Sequence, residues 1–433
     1  MSTFKGLFDE EELKHIAADY FEPSVRHCEA FFLSHAHMDH MSGLNSSFGH
    51  LLKQNPEKKI YCSLITKEFF SKLDISSGFD MNSLVVLDIG VPHLLTVCGG
   101  YLTVTLIPAG HCPGSVMFLF EIQNICVLFT GDFRYDAKDI SKLKVLKCSD
   151  GTLKKIDNIY LDTTFAYEEY KHFPSRDQSL QAILTEIKKW LKEDKNNVVN
   201  LQLPARFAYE FVFVSIHQML NSKVHVTPAK LELYKNISDI IGSITGDPSV
   251  RIHACSAQAS CVRGQGKHPL TIRLCTMLFK DSFVQNYGGG LYKNCDSSEI
   301  KIFYATHSSL NELRTFVKYL SPRKVTPFVI QPGTGVNLEI LIDRVTKTPE
   351  VPTKSSQPID SKASSTQSPL KKKPKLEVPD NLLEIKLGKS KNLVSSLGTS
   401  TSQSKDGNLF VSYNVPNNKM KLAIESPPSS PDS

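Results

Sequence analysis

One short segment of the sequence is dense in potential metal ligands. In FFLSHAHMDHMSGL an apolar run ends at Leu33 and is followed within seven positions by His35, His37, Asp39 and His40. Imidazole and carboxylate groups are common zinc ligands. Alternate side chains of an extended segment point to one side, so His35 and His37 should face the same pocket. Asp39 and His40 would approach from its other side, which predicts two adjacent metal ions.

Further candidate ligands follow apolar runs elsewhere in the chain. His111 comes after LTVTLIPAG and Asp132 after VLFTG. Because a carboxylate can bridge two cations, we expect Asp132 and His111 to complete the site. Asp19 in IAADYF and Asp162 in IYLDTTF are also candidates. Read alone, either of these two could instead cap a helix or a loop.

The elements that must position these residues alternate between strands and helices. A helix is predicted to start at Ser175, with Gln178 spaced for a capping box, and a second helix spans Asn311 to Leu320. Alternation of this kind predicts α/β layers, in which polar residues at strand ends form the site. Buried strands are predicted at 102–108, 127–132, 158–162, 197–203 and 300–307.

Composition and charge divide the chain into two parts. With 41% hydrophobic and 22% charged residues, a wholly disordered or fibrous chain is excluded. Residues 351–433 hold 12 Lys and 7 acidic residues, against 38 basic and 37 acidic residues in 1–350. After Lys347 the chain is rich in Ser, Thr, Pro and Lys, which predicts a disordered tail. Its basic charge suits a polyanion or a nuclear import receptor as partner.

The sequence also bears on the compartment of the protein. We expect no membrane association, because no apolar run approaches the roughly 18 residues of a membrane span. The first residues are acidic and lack the apolar core of a secretory signal. A reducing compartment is therefore expected, in which the ten scattered cysteines bind metal or pack in cores more readily than they pair.

Residues 225–261 contain a second candidate metal site. His225 lies in KVHVTP, His253 and Cys255 alternate in RIHACS, and Cys261 follows a short loop. Two His and two Cys suit a tetrahedral structural zinc. The alternative is that the cysteines pack in a core and the histidines lie at a sheet edge.

These motifs together resemble a known family. The set His35, His37, Asp39, His40, His111 and Asp132 resembles the metallo-β-lactamase fold. GHCPGS, TGDFR and LDTTF resemble its β-CASP branch, in particular the DNA cross-link repair nucleases, over roughly residues 10–346. The resemblance implies an α/β fold, namely an αββα sandwich with an inserted β-CASP domain. The implied parts are a sandwich at 1–157 and 307–346, an insert at 158–306 and a tail at 347–433.

The resemblance also implies residue roles. His35, His37, His111 and Asp132 would hold one zinc, and a second ion, zinc, magnesium or manganese, would bind Asp39, His40 and Asp132. Asp19 would orient the ligand histidines. Asp162 and His307 match the acidic and histidine motifs at the edges of the insert, and with Asp39 they are the expected catalytic residues. The four residues at 225–261 would bind one structural zinc.

The implied activity is metal-dependent endonucleolytic cleavage of DNA hairpins, overhangs and junctions in non-homologous end joining. Alternatives are a 5′-exonuclease of the cross-link repair type and a weakly active scaffold acting through its tail. RNA-directed relatives carry a further histidine where this chain has Val329, which favours DNA. Ala305 stands where the branch tends to have Ser, so we expect weak dependence on a 5′-phosphate.

The tail and the resemblance give the remaining expectations. A basic cluster predicts nuclear import, although it could be a solvated charge run. Three Ser/Thr-Gln pairs, beginning at Ser356, Thr366 and Ser402, suit a DNA-damage kinase. By resemblance, the partners are DNA, DNA-dependent protein kinase and the end-joining ligase complex, and the chain is a monomer. The basic cluster comprises Lys371, Lys372, Lys373 and Lys375.

Overall fold

The computed structural model describes residues 3–255, 261, 268–277, 291–293, 298–331, 335–348, 399–403 and 409–413. The α-helices within these ranges are α1 (Ser46–Gln54), α2 (Leu64–Ser71), α3 (Ala137–Ile140), α4 (Arg176–Glu193), α5 (Glu210–Leu220), α6 (Pro228–Tyr234), α7 (Ser238–Ile241), α8 (Leu310–Leu320) and α9 (Leu338–Thr346).

The strands of the first half are β1 (Ile16–Ala18), β2 (Ala30–Phe32), β3 (Lys59–Cys62), β4 (Leu84–Val86), β5 (Pro92–Val97), β6 (Gly100–Pro108), β7 (Val116–Ile122), β8 (Ile125–Phe129) and β9 (Asn158–Leu161). Those of the second half are β10 (Asn197–Gln202), β11 (Val224–His225), β12 (Ile244–Thr245), β13 (Ile252–His253), β14 (His268–Cys275), β15 (Leu291–Lys293), β16 (Glu299–Phe303), β17 (Lys324–Pro327), β18 (Thr399–Gln403) and β19 (Leu409–Tyr413).

Two sheets pack face to face to form the predicted sandwich. Strands β1 to β4 make a parallel sheet, and the second sheet has the order β17-β9-β8-β7-β6-β5. Phe32 of the first sheet packs edge-on against Phe118 and Phe120 of the second, in one buried apolar cluster. Burial of these rings is the main force that joins the sheets.

Helices cover the outer faces of the sandwich. On the first sheet, Phe48 of α1 packs against Phe31 of β2. On the second sheet, Phe316 of α8 and Leu341 of α9 share a buried cluster with Leu128 of β8. The layers therefore run helix, sheet, sheet, helix, as expected.

A third sheet forms the inserted part of the chain. Its order is β12-β11-β13-β10-β14-β16-β15, and its described pairs are parallel except for β15 with β16. Helix α4 packs on β10 and β16 and begins with the predicted capping box between Ser175 and Gln178. Parallel strands buried between helices are typical of α/β folds.

The insert was predicted to start at 158, the first residue of β9. Strand β9 pairs with β8 and β17, so it belongs to the second sheet of the sandwich. The chain reaches the third sheet only through α4, which begins at Arg176. The acidic motif at Asp162 follows the last sandwich strand before the insert. It therefore marks the strand's end and not the first element of the new domain.

The tail is described only in part. Strands β18 and β19 pair antiparallel within the segment expected to be disordered, in a unit of their own at 387–433. The rest of that segment, with Lys371, Lys372, Lys373 and Lys375, lies outside the described residues. In the part of the chain that the structure describes, no helix has the length and apolar character needed to cross a membrane.

Candidate metal centre

The predicted site residues meet where strands of the sandwich and the insert end. His35 follows β2, Asp132 follows β8, Asp162 follows β9 and His307 follows β16, while His111 lies in the loop between β6 and β7. Six of the predicted residues line one cavity of about 260 Å³, namely His37, Asp39, His40, His111, Asp132 and His307. The expected convergence of separate loops is therefore present.

Three imidazoles turn nitrogens towards one point. The Nδ1 atom of His37 lies 3.0 Å from Nε2 of His35 and 3.1 Å from Nε2 of His111. Nδ1 of His111 donates to the backbone carbonyl of Thr306 at 3.1 Å, which leaves a lone pair on its Nε2. Lone pairs that converge in this way fit a bound cation, and together with Asp132 they make a four-ligand set.

Asp132 lies close to four of the histidines. Its Oδ2 atom lies 3.7 Å from Nε2 of His35 and 3.6 Å from Nε2 of His111. The same atom lies 3.2 Å from Nε2 of His40 and 3.9 Å from Nε2 of His307. Burial raises the pKa of Asp132, but His40 and His307 hold it well below its usual range. The carboxylate is therefore charged, and its role as a bridge between two ions stays a prediction.

Burial keeps three of the histidines neutral. It lowers the pKa of His35 and of His111 well below the ordinary value, and that of His37 to about 4. A neutral imidazole is the form that binds a metal ion. No proton therefore has to be displaced from these three side chains at neutral pH.

Asp19 lies behind the histidines, where the family resemblance implied an orienting group. It accepts a hydrogen bond from the Ser34 backbone N–H at 2.7 Å and another from Nδ1 of His40 at 2.8 Å. The hydroxyl of Ser34 lies 2.9 Å from Nδ1 of His35. Burial lowers the pKa of His40, but Asp132 and Asp19 raise it well above its ordinary value. Such contacts fix ring orientation and tautomer.

The remaining predicted residues occupy two different environments. Asp162 is buried and accepts a hydrogen bond from Nδ1 of His307 at 2.8 Å. Asp39 is 48% exposed, and its Oδ2 lies 3.9 Å from Nε2 of His40. Among the described residues, Asp39 is absent from the groups whose ligand atoms lie within 4.8 Å of one another. Its catalytic role stays a prediction.

Sequence comparison agrees with this geometry. Residues 15–178 match the family described as "Metallo-beta-lactamase superfamily", and residues 217–333 match "DNA repair metallo-beta-lactamase". The chain belongs to the DNA-repair branch of the metallo-β-lactamase superfamily. The family membership and the α/β sandwich predicted from the sequence are thereby confirmed.

Curated relatives give the same family. "Protein artemis" of Mus musculus is 34% identical over 363 residues, covering 78% of this chain and 50% of the relative. The Homo sapiens protein of that name is 32% identical over 79% of this chain and 51% of its own length. "5' exonuclease Apollo" of Rattus norvegicus is 32% identical over 70% of this chain and 51% of that protein. The chain thus spans about half the length of these relatives.

In this metallo-β-lactamase centre, hydroxyl groups near the metal ligands come from positions other than Ala305. Ala305 is fully buried, and its carbonyl accepts a hydrogen bond from Nη1 of Arg134 at 2.9 Å. It does not line the cavity, whereas Thr164 and Thr306 do. A hydroxyl that contacts substrate would therefore come from these threonines or from Tyr209, which also lines the cavity.

The insert contributes cavity residues that the sequence did not reveal. Ala205, Ala208 and Tyr209 line the cavity, all from the loop between β10 and α5. Phe207 of the same loop stacks on the ring of His37. The available signal was that PARFAY follows a predicted strand, but this segment is mostly apolar and contains no His, Cys, Asp or Glu.

The second candidate metal site is also assembled. His225 and His253 are register partners on neighbouring parallel strands, and their Nδ1 atoms lie 3.1 Å apart. The Sγ of Cys261 lies 2.8 Å from Sγ of Cys255 and 3.3 Å from Nδ1 of His253. Four ligand atoms within 4.8 Å of one another suit a single tetrahedral ion.

Proposed function

We propose that this protein is a metal-dependent DNA nuclease that hydrolyses phosphodiester bonds. The observation that carries the proposal is that five histidines direct ring nitrogens towards Asp132 or towards one another, namely His35, His37, His40, His111 and His307. All of them except His35 line, with Asp132, a cavity whose wall is partly formed by the insert. Such a cavity can hold a phosphate that is contacted from both parts of the chain.

The donor set suggests which ions bind. His35, His37, His111 and Asp132 would hold zinc, because imidazole nitrogens predominate. Asp132, His40 and Asp39 would hold the second ion, for which zinc, magnesium and manganese remain candidates. When bound, these cations supply Lewis-acid stabilisation of the phosphate and an activated water.

His307 and Asp39 have different proposed roles in the reaction. Burial lowers the pKa of His307, but Asp162 and Asp132 raise it to about 9 overall, so the ring carries a proton at neutral pH. His307 can therefore stabilise charge on a phosphate oxygen or donate to the leaving oxygen. Asp39 lies at the open side of the cavity, where it could orient the attacking water or accept its proton.

The proposed substrate is DNA at broken ends. Two observations support it: the names of the relatives, which include "DNA cross-link repair protein SNM1" of Arabidopsis thaliana, and Val329 in the cavity lining. We assign the chain to hairpin, overhang and junction processing in non-homologous end joining. The nucleus is then its compartment, and DNA-dependent protein kinase and the end-joining ligase complex are its partners.

A 5′-exonuclease is the second candidate. It is favoured by the similarity to "5' exonuclease Apollo" and by the hydroxyls of Thr164 and Thr306 in the cavity, which could contact a terminal phosphate. The prediction from Ala305, which contributes no hydroxyl to the cavity, is the opposite: similar rates on 5′-phosphorylated and 5′-hydroxyl ends. Similar rates would therefore count against a contact between these threonines and a terminal phosphate.

The site at His225, His253, Cys255 and Cys261 is proposed to bind a structural zinc. The pairing of β11 with β13 brings the two histidines together. The ion would tie both strands to the segment that carries Cys261. Its role would be to hold this edge of the third sheet, away from the chemistry.

The test is cleavage of closed-hairpin, overhang and blunt DNA, mapped at nucleotide resolution, with each linear end prepared with and without a 5′-phosphate. Wild type, Asp39→Ala and the exposed-site control Asp150→Asn are compared. Opening of the closed hairpin by wild type and the control, but not by Asp39→Ala, supports the endonuclease. Cleavage restricted to 5′ ends supports the exonuclease. Metal-loaded wild type that cuts none of these substrates contradicts both and favours a scaffold.

A further inference from the structure

The centre contains one histidine that is held differently from the others. Metal-binding histidines almost always use the second ring nitrogen to hydrogen-bond a carboxylate, a carbonyl or water. In His37 that nitrogen is Nε2, which is buried and has no hydrogen-bond partner among the residues that the structure describes. The other rings have such partners at Nδ1: Ser34 for His35, Asp19 for His40, Thr306 for His111 and Asp162 for His307.

An aromatic stack takes the place of that hydrogen bond. The ring of His37 lies nearly parallel to that of Phe207, at 10° and with centroids 5.6 Å apart. Behind it, Phe207 and Phe69 are parallel within 7° at a centroid distance of 4.6 Å. Both phenylalanines are almost completely buried. Offset stacking at these separations fixes the plane of a ring, which here is the ring whose Nδ1 faces the cavity.

The loop that carries Phe207 is itself held firmly. Ala208 has φ +104°, a conformation that alanine rarely adopts. Its N–H donates to Oε2 of Glu210 at 2.8 Å, and the hydroxyl of Tyr234 donates to the other oxygen of that buried carboxyl group. Strained backbone of this kind persists where the surroundings over-determine it, commonly at functional sites.

We infer that Phe207 is a positioning residue of the metal centre. Through its ring the insert sets the orientation of His37, and α2 of the sandwich supports that ring through Phe69. The inference rests on the proposed metal-binding function. It extends that function, because it makes the affinity of the centre for metal depend on a side chain from the inserted part of the chain.

Metal affinity is the direct readout. The full chain is stripped, reloaded with Co²⁺ and titrated with a chelator, and the cobalt retained is measured by elemental analysis. The thiolate-to-cobalt absorption of the site at Cys255 and Cys261 is an internal reference, because Phe207 does not belong to that site. The variants are Phe207→Leu, Phe207→Tyr and Phe69→Leu. Phe213→Leu is the matched control, because Phe213 is an equally buried ring of the insert.

The expected result is graded. In Phe207→Leu, the chelator concentration that removes cobalt from the histidine centre should fall about tenfold or more, the size typical of losing a group that orients a ligand. Phe69→Leu should show a smaller loss in the same direction. Phe207→Tyr, which keeps the ring, should stay close to wild type, and Phe213→Leu should match it. The thiolate-to-cobalt absorption should not change in any variant.

Other outcomes overturn the inference. Wild-type affinity in Phe207→Leu, or an equal loss in Phe213→Leu, removes the special role of the stack. Should Phe207→Leu fail to fold, wild-type affinity in Phe69→Leu has the same consequence. Wild type that binds no cobalt at the histidines contradicts the proposed function as well. That result is distinct from the one that overturns the inference alone, in which wild type binds cobalt and the variants bind it with the same affinity.

Discussion

Nδ1 of His307 lies 2.8 Å from Oδ2 of Asp162, although 145 positions separate the two residues in the chain. Asp162 follows β9, the last sandwich strand before the insert, and His307 follows β16, the last strand of the third sheet. The segments that enter and leave the insert therefore meet at one point of the metal centre. The contact couples the placement of His307 to the end of a sandwich strand.

Replacing Asp162 by Asn should reduce cleavage by about 10- to 100-fold, because the amide neither holds the His307 ring as firmly nor supports its positive charge. Metal at His35, His37 and His111 should remain bound. The measurements are single-turnover cleavage of DNA and metal content of the purified variant. Asp150→Asn, at an exposed turn, is the control. Unchanged cleavage in Asp162→Asn would remove this pair from the mechanism.

Acid should release metal from the histidine centre only at low pH. Burial lowers the pKa of His37 to about 4, so this imidazole stays neutral, and able to bind a cation, down to that pH. Protons then compete with the metal below about pH 5, not near pH 6.5, where an exposed histidine titrates. The zinc that stays bound is measured by equilibrium dialysis at stepped pH, followed by elemental analysis. The zinc-loaded Cys261→Ser variant is used, because it lacks a ligand of the proposed structural site and zinc at that site would otherwise be counted too. Half-release near pH 6.5 would contradict it.

Much of the centre could be predicted from the sequence because its ligands follow apolar strands. The rule that polar residues at strand ends form the site pointed to His35, His111 and Asp132, and in the structure these residues lie close together although they are far apart in the chain. Local signals were equally informative. The capping box at Ser175 and Gln178 gave the start of α4, since both partners lie within one helical turn.

The rest depends on contacts that leave no local pattern. Phe207 reads as an ordinary apolar residue, and its stacking on His37 exists only once the insert packs against the sandwich. The sequence could not assign β9 to a sheet, because its pattern is that of a strand in either domain, and only its pairing with β8 and β17 decides. Burial of Ala305 is likewise a property of the assembled fold.

Loss of one cysteine should empty the proposed structural site. The Sγ of Cys261 lies close to Cys255 and His253, so Cys261→Ser removes a ligand that the remaining three cannot replace. Metal content should fall by about one ion per chain, and the melting temperature by roughly 5 °C or more. Cys98→Ser, at an exposed position, is the control and should change neither. Equal metal content in both variants would exclude a zinc site here.

Gly131→Ala should damage the centre without touching a ligand. Gly131 precedes Asp132 with φ +48°, and a Cβ there would lie 2.7 Å from Oγ of Ser34. Ser34 cannot move freely, because both its hydroxyl and its backbone N–H donate hydrogen bonds to the carboxylate of Asp19. We expect unfolding to cost about 1–3 kcal/mol less and metal content to fall. The control Gly151→Ala also has positive φ, +83°, but open space around its Cβ, so it isolates the clash. Equal destabilisation of the two variants in denaturant would show that backbone conformation, and not the contact with Ser34, sets the requirement for glycine.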